Sequence, residues 1–122
     1  MSSRPGSIGP GRPVRGSTTG RPIMALLDLA GRRWTLRILW ELTEAGRPLT
    51  FRDLRERCAQ MSSSVLTRRL AELREVQLVT HTDTGYILTP LGDDLVERLQ
   101  PLSEWSRTWA QHLDQSSQES DA

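Results

Sequence analysis

The hydrophobic period of this chain changes once, at Leu78, from three-and-four spacing to strict alternation, and few architectures accommodate that change. From Leu78 onward, Leu78, Thr80 and Thr82 face one way and Val79 and His81 the other. Asp83-Thr84-Gly85 and then Tyr86-Ile87-Leu88 follow, which predicts a β-hairpin around a glycine-containing turn. Everything before this point reads as short helices. Pro22 opens the first, with Ile23, Leu26, Leu27 and Ala30 as its apolar stripe before Gly31. The second runs from Trp34 to Ala45, with Trp34, Ile38, Leu39 and Leu42 at helical spacing and Gly46 as its C-cap. Leu49 and Thr50 make at most a strand stub. Thr50 with Asp53 then forms a capping box for a third helix, Phe51 to Cys58, with Phe51, Leu54 and Cys58 inward. The fourth helix starts in the serine triplet Ser62 to Ser64 and carries Val65, Leu66, Leu70 and Leu73. After the hairpin, Thr89 caps a last helix beginning at Pro90, with Leu91, Leu95, Leu99 and Leu102, which Pro101 should bend or restart.

Three helices, a connector, a helix, a two-stranded hairpin and a closing helix make a mainly α, α+β chain in the element order of a winged helix-turn-helix. In such a domain the helix after the short turn enters the major groove and offers its N-terminal side chains to base edges. Here that helix is residues 62–74. With Val65, Leu66, Leu70 and Leu73 turned to the core, the helical wheel leaves Ser63, Ser64, Thr67, Arg68 and Glu72 facing out. Ser62 is expected as the N-cap, its free amides favouring a phosphate. Ser63, Ser64 and Thr67 suit bases or phosphates. Arg68 is the candidate base contact because a guanidinium pairs bidentately with guanine, and Arg69 is placed to reach a phosphate from the flank. The competing reading is an ordinary solvated helix face.

The charge distribution fits an anionic partner, double-stranded DNA being the expected one. Residues 1–80 hold fourteen arginines against seven acids, whereas residues 81–122 hold two against eight. The net charge of +1 therefore conceals a basic part and an acidic one. No lysine occurs, for which the codon usage of a GC-rich genome is the simpler reading and a preference for guanidinium groups the functional one. Residues 1–21 are rich in Gly and Pro with Arg4, Arg12, Arg15 and Arg21 and no acid, so a disordered basic arm is expected there. One domain should span 22–113, and the polar tail 114–122 should fray. No apolar run approaches the roughly 18 residues of a membrane span, and none sits at the N-terminus. A cytoplasmic protein, nucleoid-associated when bound to DNA, is the expectation. One cysteine and two separated histidines are too few for a metal cage, and no cofactor is expected. No phosphate-cradling glycine loop or nucleophile motif occurs, so catalysis is not expected either.

These residues resemble the HxlR-type winged helix-turn-helix transcriptional regulators of bacteria, from about Pro22 to His112. The resemblance lies in Leu27-Asp28-Leu29-Ala30-Gly31-Arg32-Arg33-Trp34, in Ile38-Leu39-Trp40-Glu41-Leu42 and in Phe51-Arg52-Asp53-Leu54-Arg55. It continues in Ser62 with Val65-Leu66-Thr67-Arg68-Arg69-Leu70 and Leu73, and in Tyr86-Ile87-Leu88-Thr89-Pro90-Leu91-Gly92. It implies a homodimer formed by the first and last helices, here through Ile23, Leu26, Leu27, Leu99, Leu102, Trp105 and Trp109. It also implies an inverted-repeat operator read by two recognition helices in successive major grooves, as a repressor or an activator. Arg32 and Arg33 match the family's basic residue before the tryptophan, which implies phosphate contact. Two departures stand out. Redox-sensing relatives carry a cysteine before the proline that opens the first helix, but Arg21 stands here and no such thiol switch is expected. Cys58 reads as a small core residue. The wing, His81 to Gly85, has no arginine and one acid, which argues against minor-groove contact by the wing; the basic arm could replace it.

Four tryptophans accompany one Phe and one Tyr. Packing in the core and dimer seam is the simpler expectation for Trp34, Trp40, Trp105 and Trp109. The sharper one is an aromatic pocket between protomers that takes a small planar effector. Against DNA binding altogether stands a winged-helix module that pairs with another protein, which the acidic second part of the chain would suit.

Overall fold

The computed structural model of the chain describes Pro10 and residues 21–121. Its elements are α1 (Pro22–Ala30), α2 (Thr35–Ala45), α3 (Phe51–Arg57), α4 (Ser63–Glu75), β1 (Val79–Thr82), β2 (Gly85–Leu88) and α5 (Pro90–Asp121). The basic arm expected over 1–21 lies, apart from Pro10 and Arg21, outside the described residues.

Polar side chains begin three of the helices by taking up amides that no carbonyl can reach. The Thr50 hydroxyl accepts from the Asp53 amide and the Asp53 carboxylate accepts from the Thr50 amide, both at 3.0 Å, completing the expected capping box. Ser62 Oγ accepts from the Val65 amide at 3.2 Å. Thr89 Oγ1 accepts from the Gly92 amide at 3.0 Å and donates to the Gln77 carbonyl at 2.6 Å, so one hydroxyl both caps α5 and ties it to the end of α4. Gly46 closes α2 in the left-handed conformation.

β1 and β2 pair antiparallel, Val79 opposite Leu88 and Thr82 opposite Gly85, which leaves Asp83 and Thr84 as the turn. Leu49 adds a third rung: its amide donates to the Tyr86 carbonyl at 3.0 Å and the Tyr86 amide donates back at 2.7 Å. The strand stub is thus one residue long, and it positions the wing against the α2–α3 connection. Gly85 is needed there. Its φ is 142°, and a Cβ would stand 2.6 Å from the Leu49 carbonyl oxygen.

The core is a single cluster in which Ile38, Leu39 and Leu42 of α2 meet Leu49, Leu54, Cys58 and Met61, Leu66, Leu70 and Leu73 of α4, and Leu78, Val79 and Val96. The arrangement is a winged helix-turn-helix, with α3 and α4 as the helix pair and the hairpin as the wing.

Four local expectations give way. Trp34 does not start α2; it precedes the helix with a φ of 78°, in a turn closed by the Thr35 amide donating to the Arg32 carbonyl at 3.2 Å. Alternation does not begin at Leu78: Gln77 takes a φ of 64°, and Leu78 and Val79 are both buried where the strand enters the core. On α1 the buried residues are Ala25 and Leu29, whereas Ile23 and Leu27 are exposed, and Leu91 of α5 is exposed too. Finally, α5 does not restart at Pro101 but runs on to Asp121. Proline removes one intrahelical hydrogen bond, but no other Pro or Gly follows before Asp121 to end the helix.

Candidate nucleic-acid interface

α4 buries Leu66, Leu70 and Leu73 and turns Ser63, Ser64, Thr67 and Arg68 to solvent. That division follows from its 3.6-residue period and puts the expected contact residues on one face. Thr67 Oγ1 donates to the Ser63 carbonyl at 2.8 Å, so toward a ligand this hydroxyl is left as an acceptor. Ser62 and Ser64 hydroxyls lie 3.2 Å apart at the helix start, where free amides favour an anion.

The turn between α1 and α2 stands beside this face. Arg33 is exposed, its guanidinium lying 5.4 Å from the centroid of the Trp34 ring, and it makes no ion pair among the described residues. Trp34 itself packs against the core, so the strained left-handed residue orients the arginine before it. Arg32, Arg33, Arg68 and Arg69 line one open cleft of about 630 Å³ with Met24, Asp28 and Glu72.

Within that cleft the four arginines are not equivalent. Arg32 donates to Glu72 and, at 2.9 Å, to Asp28; Arg69 donates to Glu72 and, through Nε at 3.1 Å, to the Arg33 carbonyl. Burial alone would lower the Arg32 pKa, but the hydrogen bond to Asp28 and the charges of Glu72 and Asp28 hold it above its ordinary value. Glu72, expected to face outward, is therefore turned into the cleft wall because two guanidinium groups meet there. Arg33 and Arg68 are the cations of this face without a carboxylate partner among the described residues. The i,i+4 pair of Asp28 with Arg32 and the i,i+3 pair of Arg69 with Glu72 are visible in the spacing. The link across forty residues, from Arg32 to Glu72, is not.

Other arginines of the basic part are also paired: Arg37 and Arg57 with Glu41, Arg47 with Asp53, and Arg52 with Glu56. The Arg37 guanidinium also donates to the Arg57 carbonyl at 3.2 Å, joining α2 to the end of α3. At the wing, His81 and Tyr86 stack with centroids 4.0 Å apart and planes within 2°, and Asp83 is exposed at the turn.

The four tryptophans do not come together within one chain. Trp34 stands at the α1–α2 turn, and Trp40 lines an apolar groove of about 280 Å³ between α2 and α5 with Leu36, Leu39, Val96, Leu99 and Leu102. Trp105 and Trp109 stack at 5.7 Å, both exposed farther along α5. Of the residues expected in a dimer seam, Ile23, Leu27, Leu102, Trp105 and Trp109 are exposed, while Leu26 and Leu99 are half-buried. Among the described residues no three His, Cys, Asp or Glu gather into a metal site, and no helix is long and apolar enough to cross a membrane.

The family model for HxlR-like helix-turn-helix proteins matches residues 29–114, which include the α1–α2 turn, the helix pair, the wing and most of α5. The chain belongs to the HxlR-like helix-turn-helix family. Solved relatives agree in fold. A possible HxlR family transcriptional factor from Thermoplasma volcanium GSS1 is 28% identical, with a TM-score of 0.66 over 74% of this chain and 85% of its own. Quinone-bound YodB from B. subtilis is 27% identical, with a TM-score of 0.66 over 70% of this chain and 96% of its own. Diamide-treated YodB gives 27% identity and a TM-score of 0.58 over 71% and 92%. This HxlR-like protein is a DNA-binding transcription regulator.

Proposed function

We propose that this HxlR-like regulator binds an inverted-repeat operator as a homodimer, with α4 of each protomer in successive major grooves. The observation that carries the reading is the exposed N-terminal face of α4, with Ser63, Ser64, Thr67 and Arg68 turned to solvent, Arg68 sharing one cleft with Arg33, and the opposite face committed to the core. Arg68 reads a base edge; Ser62, Ser63, Ser64 and Thr67 contact bases or phosphates; Arg33 holds a phosphate. Arg32 and Arg69 border the same groove and act mainly by fixing α4 against the α1–α2 turn.

Selection from a randomised duplex pool with the wild-type protein supplies the test duplex. Arg68→Ala is expected to weaken binding to it by about 1–3 kcal/mol and to relax the preference at one base position. Arg33→Ala is expected to weaken all duplexes alike and to flatten the salt dependence by about 0.9 per lost phosphate contact. A wild-type protein that shifts no duplex at low salt would instead be a module that pairs with another protein.

Effector control belongs to the same proposal. The groove beside Trp40 is open and mainly apolar, the stacked Trp105 and Trp109 lie farther along α5, and quinone-bound YodB is a relative with a planar ligand. A small planar molecule held there, between protomers, would shift the spacing of the two α4 helices. Tryptophan fluorescence titrated with a panel of quinones and aromatic acids tests it, and a flat response throughout counts against it.

A further inference from the structure

The base-reading role proposed above leaves an acid on the reading helix unexplained. Glu72 lies one turn beyond Arg68, on the side of α4 that faces the cleft. One carboxylate oxygen takes a hydrogen bond from Arg32 and the other from Arg69, while Asp28 takes the second donor of Arg32. The four side chains are only 14–25% exposed, so the pairs are partly shielded from water and salt. Two positive and two negative charges cancel where, from the basic residues alone, four guanidinium groups would face a polyanion.

Those pairs resist exchange. If Arg69 turned to a DNA phosphate, Glu72 would lose one of its two partners, and if Arg32 did, Asp28 would lose its own as well, in a partly buried site that then faces a like charge. Arg69 is held further by its bond to the Arg33 carbonyl, so its fork is already committed in two directions. Attraction to phosphates does not depend on sequence and supplies essentially all of non-specific binding but only part of specific binding, so a cation withheld from the backbone removes a larger share of the non-specific binding energy.

We infer that Glu72 is a specificity-determining residue: by holding Arg32 and Arg69 in neutral pairs it restrains sequence-independent binding and leaves discrimination to Arg68 and the serine face of α4. The inference rests on α4 being the DNA-reading helix.

The test compares the duplex selected by the wild type with a scrambled duplex of the same composition, each titrated between 50 and 300 mM NaCl. Glu72→Gln keeps the side-chain shape and removes the charge. For the scrambled duplex its salt dependence should steepen by about 0.9 per released arginine, which amounts to about 3.5-fold in affinity between 50 and 200 mM. At 50 mM the scrambled duplex should gain more affinity than the selected one, so the ratio of selected to scrambled affinity should fall. Asp28→Asn, which loosens Arg32 alone, should give a smaller change of the same sign. Adding Arg69→Gln to Glu72→Gln should return the slope toward the wild-type value, an outcome that lost packing could not produce. Unchanged slope and ratio in Glu72→Gln overturn the inference. So does a parallel loss of affinity for both duplexes with a lowered Tm, which marks a merely structural acid. A wild type that binds neither duplex at 50 mM removes the DNA-reading role of α4 itself, and is recognised before any variant is measured.

Discussion

At the scale of single residues, burial decides chemistry that composition leaves open. The Cys58 side chain is 1% exposed at the end of α3. Burial pushes the thiol's pKa up; Arg37 opposes the shift and Glu41 adds to it. Such a thiol is a core group and a poor nucleophile. Alkylation by iodoacetamide at pH 7.5 is therefore expected to be on the order of a hundredfold slower in the native protein than in denaturant. Comparable rates, read by mass spectrometry, would mean that Cys58 is open to reagents. Gly92 shows the same dependence on surroundings. It is buried in the first turn of α5, where a Cβ would collide with the Leu78 carbonyl oxygen that already accepts the Thr89 amide. Gly92→Ala should thus destabilise by about 1–3 kcal/mol although alanine is the better helix former, and urea unfolding would show it.

Elements whose determinants lie within a few residues were legible in the sequence. The capping box needs only Thr50 and Asp53, the α4 cap only Ser62, and the buried stripes of α2 and α4 only their own spacing. The capping box also carries a pH dependence. Hydrogen bonds from the Thr50 amide and side chain, with Arg47 nearby, hold the Asp53 pKa below its ordinary value. A carboxylate depressed in the folded state stabilises it fully above the unfolded pKa, about 3.9, and loses that contribution as pH falls toward the folded value. Asp53→Asn should therefore have a Tm below the wild type at pH 7, with the gap closing below about pH 4; a constant gap would contradict the assignment. What escaped the sequence depends on contacts between elements. Trp34 takes a left-handed conformation in the tight turn that joins α1 to α2 while its ring packs on the core. Glu72 turns inward because Arg32, forty residues earlier, lies across from it. At the candidate site the exposed face of α4 was visible as a periodic pattern, whereas the pairing that neutralises Arg32 and Arg69 was not.

For the whole molecule, the division into a basic first part and an acidic second part corresponds to a division of surfaces. The arginine-lined cleft and the exposed face of α4 belong to the first part, whereas most of the wing and all of α5 belong to the second. At about 1.5 Å per residue, the 32-residue α5 spans roughly 48 Å, and beyond Ser103 its side chains through Glu119 are exposed. Leu102, Trp105, Trp109 and Leu113 recur at three- and four-residue steps on that projecting segment, each 48–59% exposed. Such a stripe on a helix is stable in water when a second apolar surface covers it. In the proposed homodimer the partner's α1 and α5 supply that surface, and the acidic character of this part keeps the seam away from DNA phosphates. Large central aromatic residues carry most of an interface's energy, with losses of at least about 2 kcal/mol on truncation, so Trp105→Ala should raise the dimer dissociation constant by about thirtyfold or more. Charged substitutions at Leu99, Leu102 and Trp105 together should give a monomer, at a mass of 13.8 kDa by light scattering, with helical circular dichroism retained. That monomer should also lose most of its affinity for a two-half-site duplex, because a single α4 reads only one half. A triple variant that still scatters as a dimer would place the seam elsewhere on the molecule.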